Sequence, residues 1–84
     1  MAKLLAVSTS AMNVGQGVGG GATPFVAGRN VLVYNTTAAP VILQQSPDNV
    51  VSYTTLVSVP ATSFAEVTLP NWIKGAAVGL QLID

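Results

Sequence analysis

Over residues 30–83 of this chain, apolar and polar positions mostly alternate with a period of two. In residues 30–36 (NVLVYNT), Val31, Val33 and Asn35 share one face, and Leu32 and Tyr34 the other. Successive side chains of an extended backbone point to opposite sides, so this pattern predicts a half-buried β-strand. The same reading predicts strands over residues 41–45 (VILQQ), 51–59 (VSYTTLVSV), 63–69 (SFAEVTL) and 77–83 (AVGLQLI). A short extended piece is expected at Trp72, Ile73 and Lys74. Alternation over 51–59 puts Val51, Tyr53, Thr55, Val57 and Val59 on one face. Over 63–69 it sets Ala65, Val67 and Leu69 against Phe64, Glu66 and Thr68.

Turn formers separate these segments. Ala39-Pro40 breaks the first, Pro60-Ala61-Thr62 and Pro70-Asn71 follow later strands, and Gly75 precedes the last. Ser46-Pro47-Asp48-Asn49 is the strongest turn, because Pro47 presets φ and the polar flanks bond to nearby backbone. No stretch carries a sustained helical period, and Pro24, Pro40, Pro47, Pro60 and Pro70 leave no room for long helices. Short strands punctuated in this way predict an all-β fold, a small antiparallel β-sandwich or barrel.

Residues 1–28 differ. They hold Gly15, Gly17, Gly19, Gly20, Gly21 and Gly28, with one candidate strand at residues 3–8. The rest reads as an extended Gly-rich N-terminal arm, separate from a sandwich domain at 29–84. Ordering so much glycine is entropically costly. The apolar residues Leu4, Leu5, Val7, Met12 and Phe25 are therefore expected to be buried against a neighbouring molecule, by strand addition to an exposed sheet edge.

Composition narrows the function. Among 84 residues, 7% are charged, with three basic residues (Lys3, Arg29, Lys74) against three acidic ones (Asp48, Glu66, Asp84). Three isolated cations do not form the basic patch that nucleic acid requires, so no nucleic-acid partner is expected. With neither Cys nor His, the usual ligands of zinc and haem are missing. A chain of this length forms one domain. With half its residues apolar and nothing to staple it, oligomerisation is the expected route to stability. The uncharged stretch 4–28 contains Ser8, Ser10, Asn13, Gln16 and its glycines, and so fails as a membrane span. No membrane partner is expected. The run 4–7 is too short for a secretory signal, and without one Asn35-Thr36-Thr37 reads as a chance glycosylation acceptor.

The remaining motifs carry little chemistry. Residues 15–20 spell G-x-G-x-x-G, but Gly21-Ala22-Thr23-Pro24 follows instead of a helix, and no carboxylate stands about 20 residues later. The carboxylates do not pair, and no histidine activates Ser8, Ser10 or Ser63. Asp48 and Asn49 supply too few oxygens for calcium and serve better as turn caps. No catalytic residue, metal site or cofactor is expected, and the protein reads as no enzyme. The aromatics Tyr34, Tyr53, Phe64 and Trp72 are expected as core or interface anchors.

From Val41 onward the order is an apolar run, Gln45-Ser46-Pro47-Asp48-Asn49, then Tyr53 and Leu56. Pro60-Ala61-Thr62-Ser63, Ala65-Glu66-Val67-Thr68-Leu69, Trp72-Ile73-Lys74 and an alternating last strand complete it. This order resembles the small β-sandwich capsid decoration (cement) proteins of tailed bacteriophages. The resemblance runs from Asn30 to Ile83, with loose motifs, and leaves the Gly-rich zone without a counterpart. It implies a virion structural protein on the outer capsid surface that stabilises a shell of major capsid protein, commonly as a homotrimer. It also implies an inward-packing role for Tyr53. The competing expectation is a receptor- or glycan-binding β-sandwich module of a tail fibre or adhesin. Clustered exposed aromatics with convergent amides would favour that module. An N-terminal arm and a broad apolar underside would favour decoration.

Overall fold

The computed structural model describes residues 4–19 and 24–84. The alternation of Asn30–Asn35 becomes strand β3, in which Val31, Val33 and Asn35 are buried while Leu32 is exposed. Seven further strands accompany it: β1 (Leu4–Ala6), β2 (Met12–Asn13), β4 (Val41–Ser46), β5 (Thr54–Val59), β6 (Phe64–Thr68), β7 (Trp72–Gly75) and β8 (Leu80–Ile83). One 3-10 turn, Val14–Gln16, follows β2. The strands form two antiparallel four-stranded sheets, sheet A in the order β1-β8-β3-β6 and sheet B in the order β2-β7-β4-β5.

The protein is thus a small antiparallel β-sandwich, as the alternation predicts. Among the described strands only β4 and β5 are chain neighbours within one sheet; the later connections cross from sheet to sheet. The core lies between the layers. Val31, Val33, Leu80 and Leu82 come from sheet A and Val41, Leu43, Val59 and Ile73 from sheet B, all nearly or fully buried.

One crossover is fixed by a buried amide. Asn35 is fully buried. Its Nδ2 donates to the carbonyls of Ala39 (2.7 Å) and Val59 (3.0 Å), and its Oδ1 accepts from Thr37 N and Thr37 Oγ1. The amide is fully engaged inside the fold and is not available as a glycosylation acceptor.

The Gly-rich zone departs from the expected arm. Its described residues belong to the sandwich. Leu4–Ala6 pairs with β8, Met12–Asn13 pairs with β7, and Val7, Val14 and Phe25 sit in the core. Val18 and Phe25 exchange backbone hydrogen bonds of 2.8 and 2.7 Å. Gly19 takes φ +92° between them, where a Cβ would press against the Phe25 ring. Here Gly19 leaves the room that the inward Phe25 ring needs, and burial of Phe25 within the same chain offsets the cost of ordering the described glycines. Gly20 of the G-x-G-x-x-G match, the Gly21 that follows it, and Lys3 of the expected first strand lie outside the described residues.

Strand β5 also differs from the alternation. It begins at Thr54, because the Asp48 carboxylate takes the backbone N–H groups of Val50 and Val51 (3.0 Å each) and holds that stretch as a loop. Leu43 then faces Val57 while Gln44 faces Thr55, so Leu56 is the extra residue of a β-bulge. Leu56 and Val57 both pack against the core, whereas Thr55 is exposed rather than aligned with Val57 and Val59. Tyr53, expected to pack inward, lies outside the strand and the core. Over 63–69 the two predicted faces hold, with Val67 and Leu69 buried. The last strand is shorter than expected, starting at Leu80.

Candidate functional site

The period-two pattern that buries one side of sheet A leaves its other side with an unusual set of residues. Cross-strand pairing aligns Leu4, Ile83, Leu32 and Glu66 in one row, and Ala6, Gln81, Tyr34 and Phe64 in the next. Leu4, Leu32 and Phe64 are 61%, 40% and 57% exposed. Tyr34 and Ile83 are half-buried between them. The Tyr34 and Phe64 rings are 4.5 Å apart at 36°, a tilted contact that holds both rings against the sheet. Large apolar side chains from all four strands therefore form one continuous face, with Glu66 as the single charged member of the two rows. At the ends of β3 and β8, Arg29 Nη2 pairs with Asp84 Oδ2 at 3.0 Å in an exposed ion pair.

The outer side of sheet B is more polar, with Ile42 and Trp72 as its large apolar members and Ser46 covered by the loop after β4. Pairing aligns Asn13, Trp72 and Ser46, and beside them Lys74, Gln44 and Thr55. Lys74 Nζ lies 4.5 Å from the centre of the Tyr53 ring, within cation–π range. The Tyr53 hydroxyl donates to Asn49 Oδ1 at 2.7 Å, and partial desolvation pushes its phenol above the ordinary value. In the loop before it, the Val51 and Val50 N–H groups hold the Asp48 carboxyl below the usual range.

Among the described residues, all four strand edges are blunted. Strand β1 has three residues and β2 two; β5 is bulged, and β6 carries Glu66 at its centre. Short strands, bulges and charges are the devices that keep sheet edges from pairing with other chains.

The residues singled out in the sequence divide between these places. Val7 and Phe25 are core, Leu5 and Met12 pack partly against it, and Leu4 lies on the outer face of sheet A. Tyr34 and Phe64 share that face, whereas Tyr53 and Trp72 lie on the sheet B side, and none of the four belongs to the buried core. Leu32 and Ile83, which complete the apolar face, escaped sequence reasoning. Their signal was an apolar residue at an outward position of each of two strands, legible only once β3 and β8 are known to be neighbours. The three carboxylates stay apart, in a loop, on β6 and after β8. Among the described residues no group of three or more His, Cys, Asp or Glu side chains gathers as a metal site, and no helix is long and apolar enough to cross a membrane.

The fold defines the class of protein as a small antiparallel β-sandwich. No family profile, curated protein or solved structure matches the chain.

Proposed function

We propose that this chain is a non-enzymatic structural subunit that decorates and stabilises a phage capsid, docking on the shell through the outer face of sheet A. The observation that carries the reading is the apolar face itself, Leu4, Leu32, Tyr34, Phe64 and Ile83 in adjacent rows. A contiguous exposed apolar patch marks an interaction surface more often than scattered apolar residues do. The resemblance from Asn30 to Ile83 supplies the class of partner, a shell of major capsid protein. With one carboxylate in the two rows, attachment is by apolar burial and changes little as salt rises.

The test is co-sedimentation with purified particles lacking this chain. Leu32→Asp and Phe64→Asp alter exposed side chains and should preserve the fold while removing most particle binding. Unchanged binding by the double variant would refute docking through this face. Loss of wild-type binding at high salt would refute the apolar mechanism.

Trp72 beside Asn13, and Tyr53 beside the Lys74 that pairs with Gln44, support a second reading, a glycan-binding module using the outer side of sheet B. Quenching or shift of Trp72 fluorescence by a neutral oligosaccharide, absent in Trp72→Ala, would favour it.

A further inference from the structure

The loop between β4 and β5 is more tightly built than a connection requires. Ser46 is buried, and its Oγ accepts from Asn49 N at 3.1 Å and donates to the Val51 carbonyl at 3.0 Å. Asp48 Oδ1 accepts from Val50 N and Val51 N. Tyr53 braces Asn49, which sits in the left-handed region at φ +62°. These bonds hold two valines out in water: Val50 is 86% and Val51 54% exposed. A loop that served only to turn the chain would gain nothing from apolar residues at its tip, where polar ones cost less. Fixing an apolar tip in one shape lowers the ordering cost of binding, which is how recognition elements are made.

Beside this loop, the two sheets part to leave an open cleft of about 480 Å³ lined by Gln45, Pro47, Thr54, Leu69, Pro70 and Asn71, among others. No ionisable side chain lines it. Its volume lies in the range of pockets that take small apolar groups alongside a few hydrogen-bonding ones. Knob and cleft share Pro47 and stand at the same end of the sandwich. A surface that carries both an exposed apolar tip and a neutral cleft can meet a second copy of itself about a two-fold axis, each copy giving and receiving the same contact.

We propose that this end of the sandwich is a pairing surface for a second copy of the chain, with Val50 and Val51 of each copy entering the cleft of the other. Charge permits it. The cleft is neutral, and the one carboxylate of the loop is turned onto its own backbone amides rather than toward a partner. The outer face of sheet A takes no part, so pairing is independent of the proposed capsid docking and adds a second attachment point to it.

The mass of the chain in solution tests the pairing without any particle. Up to about 1 mM, the weak limit of specific association, the wild type should approach twice the 8.5 kDa of one chain. V50S/V51S, which empties the knob, and T54W, which fills the cleft, should both stay at single-chain mass with unchanged far-UV circular dichroism. Mixing the two leaves one of the two contacts. The Val50 and Val51 methyl resonances of T54W should therefore move on addition of V50S/V51S chains and stay still on addition of more T54W. L32D/F64D should pair like the wild type, which separates this inference from the capsid reading. A wild type that remains at single-chain mass, a three-copy mass, an unaltered mass in V50S/V51S, or stationary methyl resonances in the mixture would each overturn it.

Discussion

The carbonyl of Val59 accepts a hydrogen bond of 3.0 Å from Asn35 Nδ2, joining the end of β5 in sheet B to the end of β3 in sheet A. The same amide nitrogen reaches Ala39 O, and Asn35 Oδ1 gathers Thr37. One buried side chain thus closes the crossover between the layers and leaves no polar atom of its own unpaired. Asn35→Ala would strand two carbonyls and the Thr37 N–H near the core. It should cost about 3 kcal/mol of stability, the combined penalty of unsatisfied buried groups. Chemical denaturation should show a lower midpoint, and a shift of less than a third of that size would mean the bonds are dispensable.

Gly79 is a close approach as well as a turn. At φ +118° an added Cβ would come within 2.2 Å of Thr37 Cγ2, while its carbonyl accepts from both Thr36 N and Thr36 Oγ1. Gly79→Ala should destabilise by about 2 kcal/mol or more, through backbone strain and displacement of the 36–40 crossover. Thermal unfolding measures this directly.

Thr62 offers a gain. It is a β-branched residue held at φ +49°, with its N–H bonded to Thr37 O at 3.1 Å. Asparagine tolerates this region better, so Thr62→Asn should raise stability by about 1 kcal/mol. A lower melting temperature would show that the Thr62 hydroxyl, which donates to Ala61 O, outweighs the strain.

Asp48 sets an acid limit for its loop. The Val51 and Val50 amides favour the ionised carboxylate, so its folded pKa lies below the unfolded 3.8. A depressed folded pKa gives stability that is present above the unfolded value and lost as pH falls through the folded one. The amide resonances of Val50 and Val51 should titrate together below the ordinary carboxylate range, with Asp48→Asn removing the transition. Amides that titrate at the unperturbed value would show the two bonds to be absent in solution.

Removal of residues 1–20 should unfold the protein rather than release an arm. It deletes β1 and β2 with the core residues Val7 and Val14, and leaves Val18 missing from opposite Phe25. Far-UV circular dichroism and denaturation of the truncated chain give the answer; a cooperative transition of wild-type midpoint would restore the arm.

The alternation of residues 30–36 and 63–69 determined the strands, their inward faces and hence an antiparallel sandwich or barrel, because burial of one face requires a period of two whatever the partner. Low charge and the missing His and Cys narrowed the chemistry for the same local reason, that a side chain brings its functional group with it. Four features were decided only by the tertiary structure. Asn35 reads as another inward position, and its four bonds exist because β5 and the 36–40 crossover converge on it. Leu56 gains its inward place from a bulge, a pairing property of two strands that neither sequence encodes alone. The glycines of residues 15–19 read as a loose arm, since glycine tolerates many shapes, and only the burial of Phe25 and the pairing of Leu4–Ala6 with β8 select one. The apolar face of sheet A belongs to this second kind, for Leu4, Leu32, Phe64 and Ile83 lie far apart in the chain and become neighbours through the strand order β1-β8-β3-β6.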